Sequence, residues 1–221
     1  MKTLVLTFLL LVTGVIVIAQ KELPVRALRS NDISKPLILY ITGDGGFNSF
    51  STAFMNELNK SGYAVVALDA KTYFWKKKKA EEAASDVERL MNNYLRAWNH
   101  KNFFVIGYSF GADVAPFILS RLSAELYNRC THLVLMSPSP TTDFEAKVVN
   151  MMGFGLQGKE RVPPEINKLN KPILFLFGKE EKDFPLQQIT APNKQVVILE
   201  GGHRYDGNAG TISNHILTRI H

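Results

Sequence analysis

The chain has 221 residues, 46% of them hydrophobic and 21% charged, with a formal net charge of +6. This composition excludes a disordered or collagen-like chain, and the length suits one domain built around a single core. Cys130 is the only cysteine, so no internal disulfide supports the fold; it precedes an apolar run and reads as a small buried hydrophobe.

In chain order, the first segment is a targeting signal. Lys2 gives a basic start, Leu4 to Ile18 is almost wholly apolar, and Val17 and Ala19 suit a signal peptidase. The apolar run is short for a full membrane span. A cleaved signal peptide is therefore expected over residues 1–19, with one domain over 20–221 and a periplasmic location. No cysteine follows the apolar run, which argues against a lipid anchor. Val25 to Arg29 is a candidate edge strand. Pro36–Thr42 is read as a strand, Phe50–Lys60 as a helix and Tyr63–Leu68 as a strand. Ala80–Trp98 is a long helix, with Ala84, Val87, Leu90, Met91, Tyr94 and Leu95 at helical spacing. Asn102–Ile106 is a strand and Ala112–Leu119 a helix. His132–Met136, Ile173–Phe177 and Gln195–Leu199 are strands, and Ile212–Ile220 closes the chain as a helix. Continuously apolar strands alternating with helices predict an α/β fold, a mostly parallel sheet with helices on both faces. The stretch from Ser137 to Pro164 breaks the rhythm with prolines, glycines and Met151-Met152, as lids and binding walls do.

Gly107-Tyr108-Ser109-Phe110-Gly111 fits G-x-S-x-G between a predicted strand and a predicted helix. That context is the one a nucleophile elbow needs, because the sharp turn lifts the serine hydroxyl clear of the sheet. A serine needs a base held by a third group. His203, on a glycine-rich loop directly after the last strand, is placed to be that base. His100, His132, His215 and His221 fit worse. The acid is expected after Ile173–Phe177, where Glu180, Glu181 and Asp183 stand. Asp183 is preferred because it precedes Phe184-Pro185, where the chain must turn, and Glu181 is the alternative. The oxyanion donors expected are the N–H of Phe110 and that of Gly45 or Gly46, in the loop Gly43-Asp44-Gly45-Gly46-Phe47. Neither G-x-G-x-x-G nor a P-loop occurs, and no metal or cofactor is expected.

Several longer stretches carry a resemblance. They are Ile41 to Phe47, Thr72-Tyr73-Phe74-Trp75, Gly107 to Phe117, Ser137 to Glu145 and Gly201 to Gly207. In these the chain resembles the VirJ/AcvB family of bacterial virulence-associated proteins, over nearly all of the predicted mature chain. Phe47 stands where members tend to carry tryptophan. The resemblance implies an exported α/β-hydrolase fold with a serine triad. It also implies links to hydrolysis of aminoacylated phosphatidylglycerol, especially the lysyl form, and to type IV secretion. Asp44, Phe47, Tyr73, Phe74, Trp75 and Tyr108 are then expected to line the substrate cleft. A cationic lysyl head would want acidic neighbours, which Asp44, Asp113 and Asp143 could supply. The run Lys76-Lys77-Lys78-Lys79 suits peripheral contact with anionic lipid, and no nucleic-acid partner is expected. The rival reading is a non-catalytic scaffold on a hydrolase fold, serving the envelope or the secretion machinery.

Overall fold

The computed structural model describes residues 22–146 and 158–220. The predicted signal segment, and part of the irregular stretch between Ser137 and Pro164, lie outside the described residues. The strands are β1 (Val25–Leu28), β2 (Leu37–Ile41), β3 (Val65–Leu68), β4 (Phe103–Tyr108), β5 (Cys130–Met136), β6 (Thr141–Thr142), β7 (Glu160–Arg161), β8 (Ile173–Gly178) and β9 (Lys194–Leu199). The helices are α1 (Ser49–Lys60), α2 (Ala70–Tyr73), α3 (Ala80–Ala97), α4 (Phe110–Leu119), α5 (Ala124–Arg129), α6 (Val162–Ile166) and α7 (Ala209–Leu217).

Seven strands form one sheet in the order β1-β3-β2-β4-β5-β8-β9. β1 pairs antiparallel with β3, and every other neighbouring pair in this sheet is parallel. β6 and β7 pair separately. The central strands β2, β3 and β4 are buried along their whole length, as expected where both faces are covered. Alternate side chains divide the core in two. Leu37, Leu39, Ile41, Phe103 and Val105 face α3 and α4. Ile38, Tyr40, Phe104 and Ile106 face α1 and α7.

Local chemistry explains the helices. The Asn48 side chain caps α1 by accepting from Ser51 N, and Ser51, Phe54, Met55 and Leu58 form its buried stripe. Asn208 caps α7 in the same way through Thr211 N. α3 buries Ala83, Ala84, Val87, Leu90, Met91 and Leu95 on one face, matching the predicted periodicity. Phe54 is fully buried, and truncation to alanine is expected to cost about 3–5 kcal/mol.

All the predicted strands and helices are present, with ends shifted by a few residues. β4 runs two residues further than expected, through Tyr108, because Gly107 and Tyr108 still pair with β5. α7 begins earlier than expected, at Ala209, because Asn208 caps it. The short elements α2, α5, α6, β6 and β7 carry too few residues to show a periodicity. Cys130 is buried, and desolvation pushes its thiol up to about 12. It is inert packing, as its sequence context indicated.

Candidate active site

The parallel strands bring the ends of β2, β4, β5, β8 and β9 to one rim, and the candidate residues stand there. Ser109 occupies the turn from β4 into α4 with φ 53° and ψ −122°. For a residue with a Cβ this conformation costs on the order of 1–3 kcal/mol and must be imposed by its surroundings. Ser109 N donates to Met136 O at 2.8 Å, and Ser109 O accepts from Ala112 N at 2.7 Å. The flanking glycines are required by space. A Cβ on Gly111 would lie 2.2 Å from the carbonyl oxygen of Ile41, and one on Gly107 would lie 2.5 Å from that of Gly111.

The Ser109 Oγ and His203 Nε2 atoms are 2.8 Å apart, within reach for proton transfer. His203 Nδ1 is 2.7 Å from Glu181 Oε1. A carboxylate at Nδ1 fixes the tautomer that leaves Nε2 free to accept the serine proton. The histidine loop is itself held, because Tyr108 Oη donates to the His203 carbonyl at 3.1 Å and its ring lies 5.6 Å from the imidazole. Burial pushes the Tyr108 hydroxyl up to about 12, and its ring packs on Phe50. Tyr108 therefore supports His203 from below instead of lining the cleft.

The carboxylate at the imidazole is Glu181, the alternative, and not Asp183, which sequence reasoning preferred. The reason is the turn that follows β8. Glu181 N donates to Gly178 O at 3.0 Å, while Gly178 N donates to Glu181 Oε2 at 2.7 Å. This reciprocal pair folds the Glu181 side chain back over the strand end. Asp183 lies past the turn and is exposed, on the way to Phe184, whose buried ring packs on Phe175 and Phe177.

Sequence reading missed Ser137 and Tyr205. Ser137 follows β5, is buried, and has φ 50°. Its hydroxyl donates to Glu181 Oε2 at 2.6 Å and lies 2.6 Å from Tyr205 Oη, which reaches Leu176 O at 3.0 Å. Burial acts to raise the Glu181 pKa. The bonds from His203, Ser137 and Gly178 N outweigh that effect and hold it below the usual carboxylate value. The one available signal was a polar residue at a strand end beside the elbow strand.

The oxyanion donors divide. Gly46 N donates to Gly43 O at 3.0 Å, so the turn already uses it. Among the described residues, no acceptor takes the N–H of Phe110, Asp44 or Gly45. Phe110 N is at the start of α4, where helix N–H groups lack internal partners. Gly43 packs beside Ser109, since a Cβ there would stand 3.3 Å from the Ser109 Cβ, which puts Asp44 and Gly45 next to the serine.

The expected aromatic lining is mostly core. Phe74 is fully buried and meets the Phe110 ring edge-on at 5.3 Å. Tyr73 is buried and donates to Asp86 Oδ2 at 2.6 Å. Trp75 is exposed at 58%, and Phe47 lies under Arg26, 4.4 Å from its guanidinium carbon. Asp113 is buried, and its Oδ1 accepts from Ser139 N at 2.6 Å, so it secures the Ser137–Pro140 loop. Desolvation raises its pKa well above the ordinary value. Asp143 accepts from Lys159 N. Asp44 and Asp143 are both partly exposed, and Asp44 follows Gly43, which packs beside the serine. Among the lysines, Lys78 pairs with Glu82 and lies over Tyr73, while Lys76, Lys77 and Lys79 are exposed.

A cleft of about 430 Å³ opens at His203, lined by Ser137, Ser139, Glu180, Glu181, Asp183 and Phe184 among others. A larger concavity of about 560 Å³ lies away from the serine, around Arg121 and Glu165, whose charges are mutually paired.

Known proteins share the family and the fold of this chain. The family described as "Bacterial virulence protein (VirJ)" matches residues 35–221. No curated protein matches the sequence. Among solved structures, a lipase-esterase related protein from Clostridium acetobutylicum superposes with a TM-score of 0.64 at 14% identity, covering 89% of this chain and 100% of that one. MenH from S. aureus gives 0.63 at 15% identity, covering 88% and 96%. The thioesterase domain from the curacin biosynthetic pathway gives 0.59 at 14% identity, covering 87% and 94%. At these identities the likeness establishes the α/β-hydrolase fold.

Proposed function

The chain belongs to the VirJ family of bacterial virulence proteins, and from that membership and its serine–histidine–glutamate geometry we propose that it is a serine hydrolase of carboxylic esters. The observation that carries this reading is the unbroken chain Ser109 Oγ to His203 Nε2 and His203 Nδ1 to Glu181, at 2.8 and 2.7 Å. Ser109 attacks the acyl carbon while His203 takes its proton. Glu181 stabilises the imidazolium that results. The N–H of Phe110, with that of Asp44 or Gly45, holds the oxyanion. Collapse of the tetrahedral adduct breaks the ester bond, and His203 gives its proton to the departing alcohol. Water, deprotonated by His203, then releases the acyl group and restores Ser109.

The preferred substrate is an aminoacyl ester of phosphatidylglycerol, with a lysyl head. Two features support it. Glu180 and Asp183 line the cleft beside His203 and supply negative charge for a cationic head. Exposed Trp75, Lys76, Lys77 and Lys79 follow α2 on the same rim as Ser109 and suit contact with anionic lipid. Export to the periplasm by the 1–19 segment fits this substrate, and an association with type IV secretion fits the family.

The experiment compares lysine release from lysyl-phosphatidylglycerol vesicles with hydrolysis of a soluble p-nitrophenyl ester. The wild type should act on both and Ser109→Ala on neither. Release from vesicles that persists in Ser109→Ala would refute the mechanism. Hydrolysis of the soluble ester without release from vesicles would refute the substrate alone.

A further inference from the structure

Among the described residues, the sheet has an open edge at β9, whose one strand neighbour is β8. Ile173 N donates to Asn193 O, and Lys179 N donates to Leu199 O. The odd-numbered residues of this strand therefore turn their backbone groups toward β8. By alternation, the N–H and C=O of Lys194, Val196 and Ile198 point outward, as does the backbone of Glu200 just beyond the strand. The side chains on these even positions are bare. Val196 is 42% exposed and Ile198 66% exposed, and they are two of the four exposed large hydrophobics among the described residues. Natural edge strands are usually short, kinked or charged along their middle. β9 has six residues, no proline or glycine, and an apolar centre.

We propose that β9 pairs antiparallel with β9 of a second copy of this chain about a two-fold axis. Such pairing must bring outward-facing residues opposite outward-facing residues, where each opposed pair exchanges two main-chain hydrogen bonds. Centring the register on Val197 does so. It sets Val196 opposite Ile198 of the second copy, and Lys194 opposite Glu200 of the second copy. Symmetry repeats both pairs. Opposite charges meet at both ends and apolar side chains meet in the middle. A slip one way sets Lys194 opposite Ile198, and a slip the other way sets Val196 opposite Glu200. Only the centred register matches every charge. Lys194 Nζ now donates to the Ile189 carbonyl, and Glu200 pairs with exposed Lys179 at 3.1 Å. Such surface contacts are worth little and exchange easily. The pairing would continue the sheet from one copy to the next and steady the strand that leads directly into the His203 loop. It does not depend on the hydrolase reading.

Sedimentation velocity over a concentration series tests it, with circular dichroism to confirm that each variant folds. The wild type should dimerise. Lys194→Glu and Glu200→Lys should each weaken association roughly tenfold, because each change places like charges opposite one another twice. The double variant should restore association, and Ile198→Lys should abolish it. If Ile198→Lys fails to fold, the charge exchange between two exposed positions still decides. A wild type that stays monomeric, or a dimer indifferent to these changes, would overturn the proposal.

Discussion

Ser109 and Ser137 occupy equivalent places on adjacent strands, yet they meet opposite surroundings. Each directly follows a parallel strand, and each has a left-handed backbone, with φ 53° and 50°. Each extends the ladder by one bond, from Ser109 N to Met136 O at 2.8 Å and from Ser137 N to Leu176 O at 2.9 Å. Ser109 is partly open and meets a histidine nitrogen. Ser137 is buried and meets a carboxylate and a tyrosine. The same backbone device serves two ends. What separates the proposed nucleophile from a support is the partner and the access to substrate, not the strain.

Removing each serine should expose that difference. Ser109→Ala should cost about six orders of magnitude in kcat on a soluble ester, as removal of a triad nucleophile does. Circular dichroism should be unchanged. A loss of less than a hundredfold would place the nucleophile elsewhere.

The carboxylates come next in size. Glu181→Gln should cost about four orders of magnitude, because a neutral amide no longer favours the productive imidazole tautomer. Asp183→Asn should leave turnover of the soluble ester nearly unchanged. The reverse pattern would restore Asp183 as the acid.

Ser137→Ala is expected to cost less, roughly ten- to hundredfold in kcat, through looser positioning of Glu181 and His203. Its sharper signature is in pH. The Ser137 hydroxyl helps hold the Glu181 pKa down, so its loss should move the protonation of Glu181 to higher pH. Glu181 has a depressed pKa in the fold. Its contribution to stability is present above the unfolded carboxylate value and is lost as pH falls through the folded value. In Ser137→Ala the acid losses of activity and of stability should both begin at higher pH. A uniform loss at every pH would mark Ser137 as packing only.

The smallest effect concerns Asp113, which anchors the Ser137 loop through Ser139 N. Its pKa is raised, so the sign is opposite to that of Glu181. The contribution to stability is complete below the unfolded value and declines as pH rises through the folded one. Asp113→Asn keeps an acceptor for Ser139 N without a charge to bury. Urea denaturation should show it gaining on the wild type as pH rises. A gain confined to acid pH would contradict this assignment.

The fold was legible because its signals are long. Apolar strands and the period of α3 depend on burial along whole elements, which sequence displays directly. Ser109 and His203 were legible for a related reason, since each stands at the end of such a strand in a glycine-rich turn. Glu181 was not separable from Asp183 because the choice depends on two hydrogen bonds to Gly178, and three nearby acidic residues offer the same chemistry. Ser137 and Tyr205 were invisible because their roles arise only when the ends of β5 and β8 come together with the turn at Tyr205. The Thr72 to Trp75 stretch misled in the other direction. An aromatic cluster beside a predicted site reads as a lining, yet Phe74 and Tyr73 are buried and support Phe110 and Asp86. Residue type cannot tell which side of a backbone faces the core.

The central claim is that Ser109 is an activated nucleophile. Treating the folded protein with a fluorophosphonate and mapping the adduct by mass spectrometry tests it without any choice of substrate. Labelling should fall on Ser109, slow greatly in Glu181→Gln and vanish in Ser109→Ala, while Asp183→Asn labels like the wild type. A wild type that takes no label, or takes it elsewhere with Ser109 free, would contradict the mechanism and favour a scaffold built on a hydrolase fold.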